Sequence, residues 1–162
     1  MHQTHFISSL VEGEKSSIVR ELTDQTLHSL LQKEGKLFEI ARQLELDILE
    51  DVVLGLQHLH RQSPPIPHGN LKSENILIRS DWRACLCDGK FDGKGTSGDI
   101  WSFGFLMREV LTREVLPIAS FAPSIPSSER ASYTQLMREC WGEEKKRPSL
   151  EVVLSRLKQI KV

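Results

Sequence analysis

The residues best equipped for chemistry stand in one run, His68-Gly69-Asn70-Leu71-Lys72-Ser73-Glu74-Asn75, followed at once by the apolar Ile76-Leu77-Ile78. His68 is the member whose charge changes nearest neutral pH. It has two readings: a working part of a reactive loop, or a core histidine bonding a backbone carbonyl or Asp99. Asn70 is a neutral amide. It can hydrogen-bond a backbone group and so hold a loop, but it cannot usefully take a proton at pH 7. Cys85 and Cys87, separated by Leu86, point to the same side of a strand. A zinc site needs about four ligands, and no second pair is spaced for one, so the two thiols read as small buried hydrophobes. The glycine-rich Gly89–Thr96 does not fit G-x-x-x-x-G-K-[ST]: Gly93-Lys94 is followed by Gly95, and no glycine stands five before Gly93. It reads as a connector.

The elements that must position these residues follow from periodicity. Leu44, Ile48, Leu49, Val52, Val53, Leu56 and Leu59 share one broad face of a helix from about Ile40 to His60, with Asp47, Glu50 and Asp51 mostly off it. Ser63-Pro64-Pro65-Ile66-Pro67 stops that helix. Ile76–Ile78 and Ala84–Cys87 read as two short strands turning at Ser80-Asp81. Asp99–Thr112 is apolar on nearly all sides and reads as a buried helix, its Trp101, Phe103 and Phe105 belonging to the core. A shorter helix is predicted over Thr26–Lys33, and two more over Ser132–Trp141 and Ser149–Lys158. Residues 117–130, with Pro117, Pro123 and Pro126, form a loop. Ahead of all this, Phe6-Ile7 and Ile18-Val19 look β-like around a turn at Glu12–Lys15.

Bulk properties exclude some classes. The chain has 162 residues, 39% hydrophobic and 27% charged, with a formal net charge of -1. That fits one folded unit and gives no global signal for nucleic acid. No apolar run approaches a membrane span, and Met1-His2-Gln3-Thr4-His5 opens no signal peptide. Three cysteines, Cys85, Cys87 and Cys140, suggest no disulfide framework and favour a reducing, cytoplasmic setting.

Three motifs in order carry a resemblance. His68–Asn75 is similar to the catalytic loop H-R-D-L-K-x-x-N of protein kinases, with Gly69 for Arg and Asn70 for Asp. Asp99-Ile100-Trp101-Ser102-Phe103-Gly104 is similar to D-V-W-S-F-G. Cys140-Trp141 with Lys146-Arg147-Pro148-Ser149 resembles the C-W…R-P-[ST] ending of tyrosine kinases and tyrosine-kinase-like kinases. Leu71-Lys72 favours the tyrosine-kinase-like branch. The resemblance spans about residues 18 to 162, with Ile18–Leu22 looking like the hinge strand.

The resemblance implies a mainly α fold, the helical C-terminal lobe of a kinase with a few short strands. Residues 1–24 would be remnant N-lobe strands and a hinge-like segment, and 25–162 the C-lobe. Only 17 residues precede the hinge-like strand, and neither G-x-G-x-x-G nor V-A-I-K occurs, so the N-lobe is expected to be largely missing. It also implies roles. Asn75 and Asp88 match the two Mg²⁺-binding positions, Lys72 the catalytic-loop lysine, and Leu77 the floor beneath the adenine ring. Asn70 replaces the carboxylate that accepts the substrate's proton. The D-F-G motif reads Asp88-Gly89-Lys90, and only Gly89 to Gly98 separate Asp88 from Asp99, where kinases place a longer segment ending in A-P-E. Arg147 would thereby lose its usual glutamate and face water or turn to Glu143 or Glu144.

These departures lead to an expectation of no catalysis: a truncated pseudokinase, not an enzyme. It would act as a signalling scaffold, decoy or regulator that binds a kinase, a receptor tail or a second copy of itself. No cofactor, nucleic acid or membrane span is expected. The alternative is a degenerate kinase that keeps weak ATP and Mg²⁺ binding and residual serine/threonine phosphotransfer.

Overall fold

A computed structural model gives the fold and describes residues 6–12, 15–20, 25–32, 42–90, 95–113 and 131–161. The fold is mainly α. Strands β1 (Phe6–Glu12) and β2 (Lys15–Arg20) form an antiparallel hairpin that closes at Glu12 and Lys15. A separate three-stranded antiparallel sheet has the order β3 (Gln25–Thr26), β4 (Ile76–Ile78), β5 (Ala84–Leu86). The described residues also form five α-helices: α1 (Leu27–Gln32), α2 (Arg42–His60), α3 (Thr96–Thr112), α4 (Ala131–Cys140) and α5 (Leu150–Lys161).

The heptad-like apolar face of α2 is what builds the centre. Leu49, Val53 and Leu56 are wholly enclosed, each worth roughly 1.5–3 kcal/mol of burial. That face meets α5 and β5, while α3 packs on α4. From α3 come Phe103, Leu106, Met107 and Val110; from α4, Tyr133, Leu136 and Met137; from α5, Val153 and Leu157. The Tyr133 hydroxyl donates to the Met107 carbonyl at 2.6 Å, so its polar end is satisfied inside the core.

Several local expectations are corrected. Asp51 is not on the solvent side of α2. It is 4% exposed, accepts from the Ala84 N–H at 3.0 Å and pairs with Arg83 at 2.6 Å, which ties the helix to β5. Thr26 belongs to a strand, pairing with Leu77, before α1 begins. Helix α3 starts three residues earlier than Asp99, because Gly95 turns the chain at φ 76°, a conformation glycine adopts freely. Within α3, Phe103 is core, whereas Trp101 and Phe105 are half-buried and stack in series with Trp141, centroids 4.4 and 4.9 Å apart. Helix α5 runs on to Lys161, whose ammonium bonds Asp47 and lies 3.5 Å from Glu50 on α2. The expected proline-bearing loop at 117–130 lies outside the described residues.

Among the described residues no helix is long and apolar enough to cross a membrane. Cys85, Cys87 and Cys140 are all buried, and none of them is in a disulfide. Burial pushes the Cys140 thiol up to about 12, which removes it as a nucleophile near neutral pH.

Candidate functional site

The site grows from a carboxylate in the first turn of α3. Asp99 is 1% exposed. Its Oδ2 accepts from the His68 backbone N–H at 2.7 Å and lies 2.8 Å from His60 Nε2; its Oδ1 accepts from the Gly69 N–H at 2.9 Å. Gly69 has φ 71°, which lets two successive N–H groups converge on one anion. The end of α2, the start of the 68–75 loop and the start of α3 are thus tied to a single charge. A buried carboxylate is tolerated when donors surround it, and here three do.

His68 is held at both ring nitrogens. Nδ1 accepts from the Asn70 N–H at 3.3 Å, and Nε2 stands 3.0 Å from the Cys87 carbonyl. A ring that accepts at Nδ1 must carry its proton at Nε2, so this is the neutral Nε2–H tautomer. Burial lowers its pKa below 6.5, against the upward pull of Asp99, the Cys87 carbonyl and Asp88. At neutral pH the ring is therefore a neutral strut between the loop and the end of β5.

Asn70 and Asn75 continue the bracing. Asn70 Nδ2 donates to the Asp88 carbonyl at 2.9 Å, and Asn75 Nδ2 donates to the Asn70 carbonyl at 2.8 Å. The Cys87 N–H donates to the Asn75 carbonyl at 3.0 Å, and the Lys90 N–H to the His68 carbonyl at 2.8 Å. The 68–75 loop and residues 87–90 are laced together on both flanks. Asp88 is exposed at φ 55°. This left-handed conformation is one that aspartate tolerates better than most. Each Nδ2 is thus committed, and the amide oxygens of Asn70 and Asn75 accept no hydrogen bond among the described residues.

The remaining sequence-picked residues fall nearby. Leu77 is half-buried in the middle of β4 while Ile76 and Ile78 are fully enclosed, so the alternation turns Leu77 to the face opposite the core. Lys72 is half-buried and forms no ion pair among the described residues. Among those residues no cluster of three His, Cys, Asp or Glu could hold a metal by itself.

Arg147 corrects another expectation. It takes neither Glu143 nor Glu144. Its Nε donates to the Gly142 carbonyl at 3.0 Å, and its Nη1 to Ser97 O at 3.0 Å and Ser97 Oγ at 3.1 Å. Glu143 pairs with Lys146 at 3.0 Å instead.

Two contributors were not visible in the sequence. His60 joins Asp99 across 39 residues, and no local pattern signals that. Glu109, on α3, is buried beside Ser73, Glu74 and His28, and burial raises its carboxyl above the ordinary range.

Comparison with known proteins finds similarity to protein kinases. No protein-family model matches the chain. It is similar to the dual specificity protein kinase shkC of Dictyostelium discoideum, 25% identical over 189 residues that cover 88% of this chain and 37% of the relative. It is similar to the serine/threonine-protein kinase CTR1 of Arabidopsis thaliana, 24% identical over 199 residues, 96% of this chain and 24% of the relative. It is also similar to the dual specificity protein kinase shkD of Dictyostelium discoideum, at 25% and 96% of this chain, 26% of the relative. The chain therefore spans between 24% and 37% of these relatives' lengths. The aligned stretches are longer than the 162 residues of the chain, so the relatives carry residues inside the matched region that this chain lacks. The expectation that the chain is not an enzyme is overturned here: the relatives it matches over most of its length are named as protein kinases, an enzyme class.

Proposed function

We propose that this protein-kinase-like chain performs the large-lobe part of serine/threonine phosphotransfer, at a slow rate set by Asn70. In this reading residues 25–162 are that lobe, and residues 1–24 are remnant N-lobe strands and a hinge-like segment. The carrying observation is the double lacing of the 68–75 loop to residues 87–90, anchored on Asp99. It ties Asn70 to both Asp88 and Asn75, and the exposed Asp88 carboxylate, which accepts from the Cys87 thiol at 3.4 Å, lies beside them. The kinase names of the relatives support the same reading.

The residues fit a nucleotide-borne Mg²⁺ rather than a metal held by protein alone. Mg²⁺ takes hard oxygen donors, uses one or two carboxylates and completes its shell with water and phosphate. Asn75 Oδ1 and the exposed Asp88 carboxylate would be such donors. When bound, ATP·Mg²⁺ supplies the transferable phosphoryl group and neutralises the charge that develops on it.

The chain's own residues do the rest. Leu77 offers an apolar surface to a base. Lys72 offers a cation to phosphate. Asn70, its Nδ2 fixed on Asp88, offers Oδ1 to orient a substrate hydroxyl, but the hydroxyl proton goes to solvent, because an amide does not keep it. Phosphoryl transfer rests mostly on positioning and electrostatics, so losing the acceptor slows the step by about 10²–10⁴-fold without removing it. A nucleotide thermal shift tests the reading. ATP should raise the melting temperature in Mg²⁺ and not in EDTA, and Asp88→Ala should abolish the rise. A melting temperature indifferent to ATP and Mg²⁺ sinks the proposal.

A further inference from the structure

Away from this site, three features meet where the loop before α5 touches the start of α3. The first is the Arg147 guanidinium, fixed in orientation by two carbonyls, those of Gly142 and Ser97, and paired with no carboxylate among the described residues. The second is the Ser97 hydroxyl, half-exposed and 3.1 Å from Arg147 Nη1. The third is the first turn of α3, a 17-residue helix whose N-cap, Gly95, brings no side chain to accept from the leading N–H groups. An oriented cation and an N-terminal turn that has no side-chain cap among the described residues both favour an anion; the Asp99 carboxylate of that turn is engaged by His68, Gly69 and His60, and the two features flank a hydroxyl that can be made into an anion.

We propose that Ser97 is a phosphorylation site whose phosphate is captured by Arg147 and the first turn of α3. In the modifying step, Ser97 Oγ attacks the γ-phosphorus of a nucleoside triphosphate. The bond from that phosphorus to the β–γ bridging oxygen breaks, the nucleoside diphosphate leaves, and the hydroxyl proton passes to solvent. The product carries close to two negative charges and three acceptor oxygens, which can form the two-pronged pair with Arg147 that the neutral hydroxyl cannot. Asp99 lies two residues further on, so the modification fastens the end of α3 that holds His68, Gly69 and His60. The inference does not depend on the phosphotransfer reading.

The test installs phosphoserine at position 97 of the full chain during translation and reads two quantities. Thermal unfolding should shift upward by about 3 °C relative to the unmodified chain. In a phosphorus NMR titration, the phosphoserine's second ionisation should fall clearly below its ordinary value of about 6. Within Arg147→Gln, the phosphorylated and unphosphorylated chains should melt together and the second ionisation should return to its ordinary value. If that variant does not fold, the titration in the otherwise native chain decides alone. A phosphate that ionises at its ordinary value in the folded protein, or a melting temperature that drops, overturns the proposal.

Discussion

Replacing Asn70 by aspartate separates what the residue holds from what it fails to do. In the native loop Asn70 Nδ2 donates to the Asp88 carbonyl at 2.9 Å. Aspartate removes that donor and sets a carboxylate oxygen against a carbonyl oxygen at the same distance, so the side chain must turn away. A half-exposed hydrogen bond contributes roughly 0.5–1.5 kcal/mol. Solvent screens most of the oxygen–oxygen repulsion at a site open to water. The cost should therefore be about 1–2 kcal/mol, a fall in melting temperature of roughly 2–8 °C for a chain of this size. The same change supplies a carboxylate where a substrate hydroxyl would be oriented, and a positioned general base is worth about 10²–10⁴-fold. Asn70→Asp should thus be less stable and faster. The assay is single-turnover transfer of labelled phosphate to a generic serine/threonine acceptor, normalised to the nucleotide-bound fraction, with melting measured on the same preparation. Parent and variant that melt together would show that the amide does not brace the loop. A variant that binds nucleotide yet transfers no faster than the parent would refute the placement of Asn70 at the reacting hydroxyl.

Two further outcomes follow from buried groups. Burial holds the Glu109 carboxyl above its ordinary 4.5, so the folded state binds a proton more tightly than the unfolded one. Its contribution is fully present below about 4.5 and is lost as pH rises through the raised value. Glu109→Gln should therefore gain on the parent in urea midpoint as pH is raised from 4 to 7, and a constant difference across that range would contradict the assignment. A Cβ at position 104 would lie 2.6 Å from Trp141 Nε1, 2.7 Å from Trp141 Cδ1 and 3.0 Å from Cys140 Cβ. Gly104→Ala should cost about 1–3 kcal/mol by overpacking, visible in urea unfolding followed by tryptophan fluorescence; an unchanged midpoint would show that the ring moves aside freely.

What the sequence made legible, and what it hid, divides along one physical line. Helix α2 was readable because a one-sided face repeats Leu, Ile and Val at helical spacing, and burial acts on that repeat directly. Strands β4 and β5 were readable because short apolar runs end at turn residues. What escaped was fixed by partners distant in sequence. Asp51 looked like a solvent-facing acid until Arg83 and the Ala84 N–H, more than thirty residues away, were brought to it. Arg147 was expected to find an acid beside it, yet folding delivered the Ser97 carbonyl and hydroxyl from fifty residues upstream. The same holds inside the site. The run from His68 to Asn75 could be picked out by residue type, but its ordering depends on Asp99, which accepts from His68 and Gly69 and meets His60. The loop is therefore not self-supporting: its geometry comes from a helix thirty residues later, and the functional consequence of Asn70 can only be judged against that anchor. An amide in a collapsed loop would mean nothing. An amide braced at 2.9 Å sits in an ordered frame, and under the proposed phosphotransfer the difference between losing a site and slowing one rests on that frame.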